Sequence, residues 1–186
     1  RKSGIPVVLV DPHRSVGSTP QLIRTIADAV GKPDAGEALV KRTQEQIDQA
    51  KKQIAAWKPA KPMRVAFLYV RGNAGVFFIL GSENGASELI QGVGADDVAS
   101  DKGITTLVPA NAESLVSINP DAIFVMRDGL ASTGGMKGLL ARAGVANTTA
   151  GRKQRVISIP DGISLSFGPQ TGEVLTAVAK ALYGVK

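Results

Sequence analysis

Tyr69 and Arg71 stand two positions apart in the run Arg64-Val-Ala-Phe-Leu-Tyr-Val-Arg71. In extended chain, side chains two apart point to the same face, so the phenol and the guanidinium would share one side and Val70 would turn away. A guanidinium beside a phenol oxygen favours the phenolate, through charge and through hydrogen bonds. A phenolate is a hard anionic donor for ferric iron, and tyrosine is among the axial ligands that hold haem iron. A second strand end carries Met126-Arg127-Asp128. On spacing alone the ordinary alternative stays open, in which a strand-end tyrosine packs on its neighbours and the arginine is a surface charge.

The other chemistry-bearing residues point to less. His13 is the single histidine and sits near Asp11 in a loop that contains Pro12; an exposed loop histidine accounts for it. Gly81-Ser-Glu-Asn-Gly85 follows a strand but has neither the G-x-G-x-x-G spacing nor the Lys-Ser/Thr of a phosphate loop. Thr133-Gly134-Gly135 reads as a helix entry, and no serine lies in a G-x-S-x-G elbow. Asp121, after Asn119-Pro120, fits a turn. The chain has no cysteine. Thiolate metal sites, cysteine nucleophiles and disulfides are therefore excluded within it, as is a multi-histidine cage.

Valine-rich Ile5–Val10 reads as a strand covered on both faces. Ser18-Thr19-Pro20 reads as a hydroxyl-capped helix start, with Leu22, Ile23, Ile26 and Val30 as its apolar stripe and Gly31 as its stop. From Asp34 to Trp57 a helix of roughly 35 Å keeps Leu39, Val40, Ile47, Ala50, Ile54 and Trp57 on one side. Its remaining surface is charged or polar, which suits a strut. Pro59 and Pro62 close it. Beyond lie strands Arg64–Val70 and Val76–Leu80, a helix near Ala86–Gly92 and a short extended piece at Asp97–Ala99. Then come helix Ala112–Ile118 capped by Asn111, strand Ala122–Met126, a loop over Arg127–Gly135 and helix Met136–Ala143. Strand Arg155–Ile159 and a last helix from Pro169 to about Tyr183 complete the order. Alternating helices and near-continuous apolar strands predict an α/β fold: a Rossmann-like three-layer lobe with a mostly parallel sheet, plus the long helix. Gly85, Leu89, Ile90, Gly94 recurs as Gly135, Leu139, Leu140, Gly144, which reads as two equivalent strand–helix units.

Hydrophobic residues make up 44% and charged residues 20% of the 186, enough for a folded core. No apolar run approaches the roughly 20 residues of a membrane span. The net charge of +6 is spread over every predicted element, and aromatics are only 4%. A stacking platform for single-stranded nucleic acid is not supported, and no nucleic-acid partner is expected.

The order of elements, the helix–strand run Glu113-Ser-Leu-Val-Ser-Ile-Asn-Pro-Asp-Ala-Ile123, Arg152–Ile159 and Phe167-Gly168-Pro169 together resemble a known family. It is that of the substrate-binding proteins of haem, siderophore and cobalamin ABC importers, in which a rigid helix joins two lobes. Tyr69-Val70-Arg71 is similar to the Tyr-x-Arg motif of the actinobacterial haem-binding lipoproteins within it. The resemblance implies extracytoplasmic haem capture and delivery to a transporter permease, without catalysis. Tyr69 would be the axial ligand of the haem iron and Arg71 the donor to its oxygen. Met126 would be a pocket wall against the porphyrin, with Arg127 beside it. It implies that residues 1–33 end an N-terminal lobe and hinge, 34–61 form the backbone helix and linker, and 62–186 form the C-terminal ligand-binding lobe. The chain then reads as a C-terminal piece. The rest of the N-terminal lobe, the histidine that supplies the second axial ligand and the lipid-anchored cysteine would belong upstream, and the uncovered face would favour self-association. On the same fold the cargo could instead be a ferric siderophore or a corrinoid, with Arg71 and Arg127 meeting chelate anions. An enzyme on a Rossmann-like sheet is disfavoured by the missing phosphate loop, cysteines and acid–base pair.

Overall fold

The computed structural model describes residues 7–72 and 75–185. The run Val-Ala-Phe-Leu-Tyr-Val has no polar alternation, and the chain places it at the centre of the sheet, where both faces are covered. β1 (Arg64–Arg71) lies parallel to β5 (Ala122–Met126), and β5 lies parallel to β6 (Val156–Ile159). The other edge of β1 carries two neighbours in series. β3 (Asp96–Asp97) pairs in parallel with Arg64 and Val65, and β2 (Val76–Leu80) pairs antiparallel with Leu68–Arg71. β4 (Leu107–Pro109), antiparallel to β2, completes the order β4-β2-β1-β5-β6. The sheet is thus mixed, with a parallel centre and one hairpin. The hairpin follows from chain length: so few residues separate Arg71 from Val76 that no parallel crossover, which needs about a dozen, could form.

Alternation along the strands divides the core in two. Val65, Phe67, Ala122, Phe124, Ile157 and Ile159 face one layer, with Phe67 and Phe124 edge to face at 6.4 Å. That layer is built from α2 (Pro33–Trp57), α3 (Ala86–Gly92) and α8 (Thr171–Tyr183). Ala66, Leu68, Val70, Ile123 and Val125 face the opposite layer, made by α4 (Ala112–Ile118), α6 (Gly135–Leu140) and α7 (Thr149–Arg152). The two glycine-framed units of the sequence fall on opposite sides of the sheet: Leu89 and Ile90 in the first layer, Leu139 in the second.

α2 buries Gly36, Val40, Thr43, Ile47, Ala50 and Ile54, a 4-3-4-3-4 spacing that keeps one stripe inward along its 25 residues. It packs on α8 and on α1 (Thr19–Ala29). A methyl group at Gly172 would stand 2.6 Å from the Gln46 carbonyl carbon, so this glycine sets how closely α2 and α8 approach.

Three local expectations differ. Ser18 stands at the N-cap position of α1 but in helical conformation and without the expected side-chain cap bond. The amides and hydroxyls of Ser15 and Ser18 are instead paired reciprocally, both at 3.0 Å, so the capping box begins one turn earlier. The expected strand Ile5–Val10 falls partly outside the described residues, at Ile5 and Pro6. Its described part, Val7–Val10, joins no described strand and is exposed, Leu9 at 87%; apolar sequence without a ladder neighbour makes no sheet. The expected loop Arg127–Gly135 contains a helix, α5 (Arg127–Ser132). Its Asp128 amide is met by Asp161 Oδ2 at 2.8 Å, a support from a distant part of the chain that no local pattern carries.

Arg64 links the starts of the strands. Its amide donates to Asp121 Oδ2 at 3.1 Å, and its guanidinium reaches the Ile118 and Asn119 carbonyls at the end of α4. Asn111 caps α4 as expected, and with Ser114 it completes a capping box there. Among the described residues no helix is long and apolar enough to cross a membrane, and no group of three His, Cys, Asp or Glu side chains could hold a metal ion.

Candidate ligand-binding site

The three parallel strands end on the same edge of the sheet: β1 at Tyr69–Arg71, β5 at Met126 and β6 at Ile159, followed by Pro160-Asp161. Ligands of open α/β sheets bind beyond such carboxyl ends. Strand alternation sends Tyr69 and Arg71 to the face of Phe67, while Val70 is fully buried on the opposite face. Met126 follows Val125, the partner of Leu68, and so stands beside Tyr69 in register. Tyr69 and Met126 are both half-buried and pack against the first core layer. Phe78 of β2, opposite Tyr69 across the hairpin, is half-buried as well.

The Arg71 guanidinium carbon lies 5.1 Å from the centre of the Tyr69 ring, a cation–π arrangement. Its Nη2 donates to Asp161 Oδ1 at 3.0 Å and its Nη1 to the Val70 carbonyl at 3.3 Å. Among the described residues no group hydrogen-bonds the Tyr69 hydroxyl. The expected donation from Arg71 to that oxygen is thus replaced here by stacking on the ring. A carboxylate is the stronger acceptor for a guanidinium, and Asp161 takes the donor.

Arg127 opens α5 at the same edge, exposed and without a hydrogen bond or ion pair to any described residue. The sequence-identified residues therefore fall into a tight group, Tyr69, Arg71 and Met126, with Arg127 at its rim. Asp161 and Gly129 escaped the sequence reading. The signal for Asp161 was its place just beyond a third strand end; only two such ends had polar groups singled out. The turn after Arg71 is anchored from the end of α5 and from the segment that follows α6. The Gly72 amide donates to Ser132 Oγ at 2.9 Å, and its carbonyl accepts from Arg142. His13 is far along the chain from this group, exposed and paired with Asp11 at 3.2 Å.

The edge offers a half-exposed phenol with a cation on its ring, a thioether wall, an aromatic neighbour and a rim arginine. That combination suits a flat, partly apolar ligand with an electrophilic centre and anionic substituents.

A family model described as "Periplasmic binding protein" matches residues 1–162. No curated protein matches the chain. Among solved structures, the heme binding protein HmuT is 46% identical with a TM-score of 0.95, covering 100% of this chain and 60% of its own. The periplasmic heme-binding protein RhuT from Roseiflexus sp. RS-1, in apo form, is 35% identical with a TM-score of 0.86, over 91% of this chain and 64% of its own. BhuT, a periplasmic heme-binding protein solved in complex with two hemes, is 31% identical with a TM-score of 0.88, over 98% of this chain and 68% of its own. The chain thus spans about 60% of the length of HmuT. HmuT has also been solved with a histidine, a tyrosine, and an arginine two positions after that tyrosine, each replaced by alanine. With the match extending over most of its length, the chain belongs to the periplasmic binding protein family.

Proposed function

We propose that this chain forms part of an extracytoplasmic haem-binding protein that captures hemin and passes it to the permease of an ABC transporter, without catalysis. The observation that carries the reading is the Tyr69 phenol at the tip of the central strand, half-buried, with Arg71 stacked on its ring and its hydroxyl unclaimed by any described residue. Tyr69 is the ligand to the haem iron. Met126 lies against the porphyrin, and Arg127 offers its charge to a ligand carboxylate. HmuT, with a tyrosine and an arginine at the same spacing among its studied positions, supports this assignment.

In the same reading, residues 1–33 end the first lobe and its hinge, 34–61 are the backbone helix and linker, and 62–186 are the lobe that binds the ligand. The whole protein is held at the membrane by a lipid. Apolar side chains on α1 and at its flanks, Ile26 at 50%, Val30 at 65% and Leu9 at 87% exposure, support self-association of the chain on its own.

Hemin titration tests the reading. Wild-type chain is expected to shift the Soret band and give a tyrosinate-to-iron spectrum. Tyr69→Phe should abolish that spectrum and weaken binding by about tenfold or more, the scale of one lost strong contact. An unchanged spectrum in Tyr69→Phe removes the axial-ligand assignment. Binding of a ferric siderophore or a corrinoid with no response to hemin transfers the site to that cargo.

A further inference from the structure

We infer that Asp161 is a positioning residue of the ligand site, acting by clamping the Arg71 guanidinium onto the Tyr69 ring. The inference rests on the reading of Tyr69 as the group that meets the ligand.

An arginine at a strand end has many rotamers, and holding it in one place costs conformational entropy. Three surfaces confine this one. The Tyr69 ring lies below it at 5.1 Å. Asp161 Oδ1 takes Nη2 at 3.0 Å, with the two side chains 37% and 25% exposed. The backbone of α5 closes the third side: a methyl group at Gly129 would stand 2.5 Å from Nη1 and 2.6 Å from the Val70 carbonyl oxygen. Only glycine leaves the guanidinium room at that position.

Asp161 is itself fixed. Its second carboxylate oxygen accepts the Asp128 amide at 2.8 Å, and its own carbonyl accepts the Ile163 amide at 2.9 Å. Pro160 before it restricts the backbone, and the Pro160 carbonyl accepts the Ser164 hydroxyl. One carboxylate therefore ties the turn after β6, the first turn of α5 and the end of β1 into a single frame. Without it the guanidinium would be free to swing into solvent, taking its charge away from the phenol. The alternative role for Asp161 is local, as a support for α5 alone. The two roles differ in whether the effect of Asp161 passes through Arg71.

Hemin affinity and visible spectra of Asp161→Ala, Arg71→Ala and the double variant separate them. Each single change is expected to weaken hemin binding by about fivefold, the scale of a part-exposed ion pair, and the double change no further than either single one. Additive losses, an unchanged affinity in Asp161→Ala, or tighter binding would overturn the clamp. A ligand-free crystal structure of Asp161→Ala reads the clamp without hemin: the guanidinium should leave the Tyr69 ring, and its staying in place also overturns the inference. If the alanine variant does not fold, Asp161→Asn, which keeps an oxygen acceptor for Asp128 but loses the charge, is read in its place. Failure of the haem reading shows separately, as a wild-type chain that gives no Soret shift, and the crystal structure then still decides the clamp.

Discussion

Ser132 Oγ accepts the Gly72 amide at 2.9 Å, so the turn that follows Arg71 hangs from the far end of α5. The same hydroxyl donates to the Gly129 carbonyl at 2.7 Å, which keeps its oxygen aimed at the turn. Removing it in Ser132→Ala should cost about 1 kcal/mol, a typical single hydrogen bond. Amide exchange at Gly72 should speed up by about fivefold, as read by NMR. Unchanged protection at Gly72 would mean that Arg142, on the carbonyl side, holds the turn alone.

Arg127 has no protein partner among the described residues, so its charge is available to a ligand. Arg127→Glu is expected to weaken hemin binding by about threefold to tenfold at low salt, with the effect fading as salt rises. Hemin dimethyl ester, which lacks the carboxylates, should bind both forms alike. Equal losses for the acid and the ester would place Arg127 outside carboxylate recognition.

Asp97 is buried at 3% exposure, with the Ser87 hydroxyl on one oxygen and the Ala99 amide on the other at 3.0 Å. Burial pushes its carboxyl above the ordinary aspartate range, and the hydrogen bonds from Ser87, Ala99 and Ser100 pull only partly against it. The native state therefore holds that proton more tightly than the unfolded chain. Stability from this group is fully present below about pH 4, the unfolded value, and is lost as pH rises through the higher native value. Asp97→Asn removes the charge and keeps the acceptor for the Ala99 amide, while its Nδ2 donates to the Ser87 hydroxyl oxygen in place of the bond that Asp97 accepted. Denaturant titrations across this range should show wild type losing ground to the variant as pH rises from 4 toward neutrality. A stability difference that does not vary with pH refutes the argument.

Gly172→Ala sets two effects against each other. Alanine favours a helix over glycine by about 1 kcal/mol. The added methyl, however, meets Gln46 backbone at 2.6 Å, and backbone cannot give way as a side-chain tip can. The clash is expected to win, leaving a net loss of about 1–2 kcal/mol in urea unfolding with an unchanged slope. A gain in stability would show that α8 can shift away from α2 at little cost.

Much of the frame was readable from residues alone. Val65 to Val70 announced a central strand, because only a strand covered on both sides tolerates such a run. The stripe through Val40, Ile47 and Ile54 announced α2, and Asn111 announced α4. The hairpin followed from the few residues after Arg71, but its orientation was not drawn from them. The sequence also placed Tyr69, Arg71 and Met126 at the ends of two strands, and the structure makes those strands neighbours. What it could not supply was Asp161, because a contact between residues 71 and 161 is made by sheet order and leaves no mark on local periodicity. For the same reason α5 was read as a loop: its support comes from that distant carboxylate. Val7–Val10 misled in the opposite direction, since valine content reports a preference for strands and says nothing about an available neighbour.

The phenol and the guanidinium stacked on it ride on β1, and the carboxylate that holds this guanidinium hangs from the turn after β6, two strands joined through β5 in one hydrogen-bonded lattice. Such a surface is an anvil, stiff in the direction that matters for gripping. Letting go of a cargo seated there would require little give from this side. Under the haem reading proposed for Tyr69, discharge would then depend on the lobe proposed to lie opposite and not on a shift of this edge.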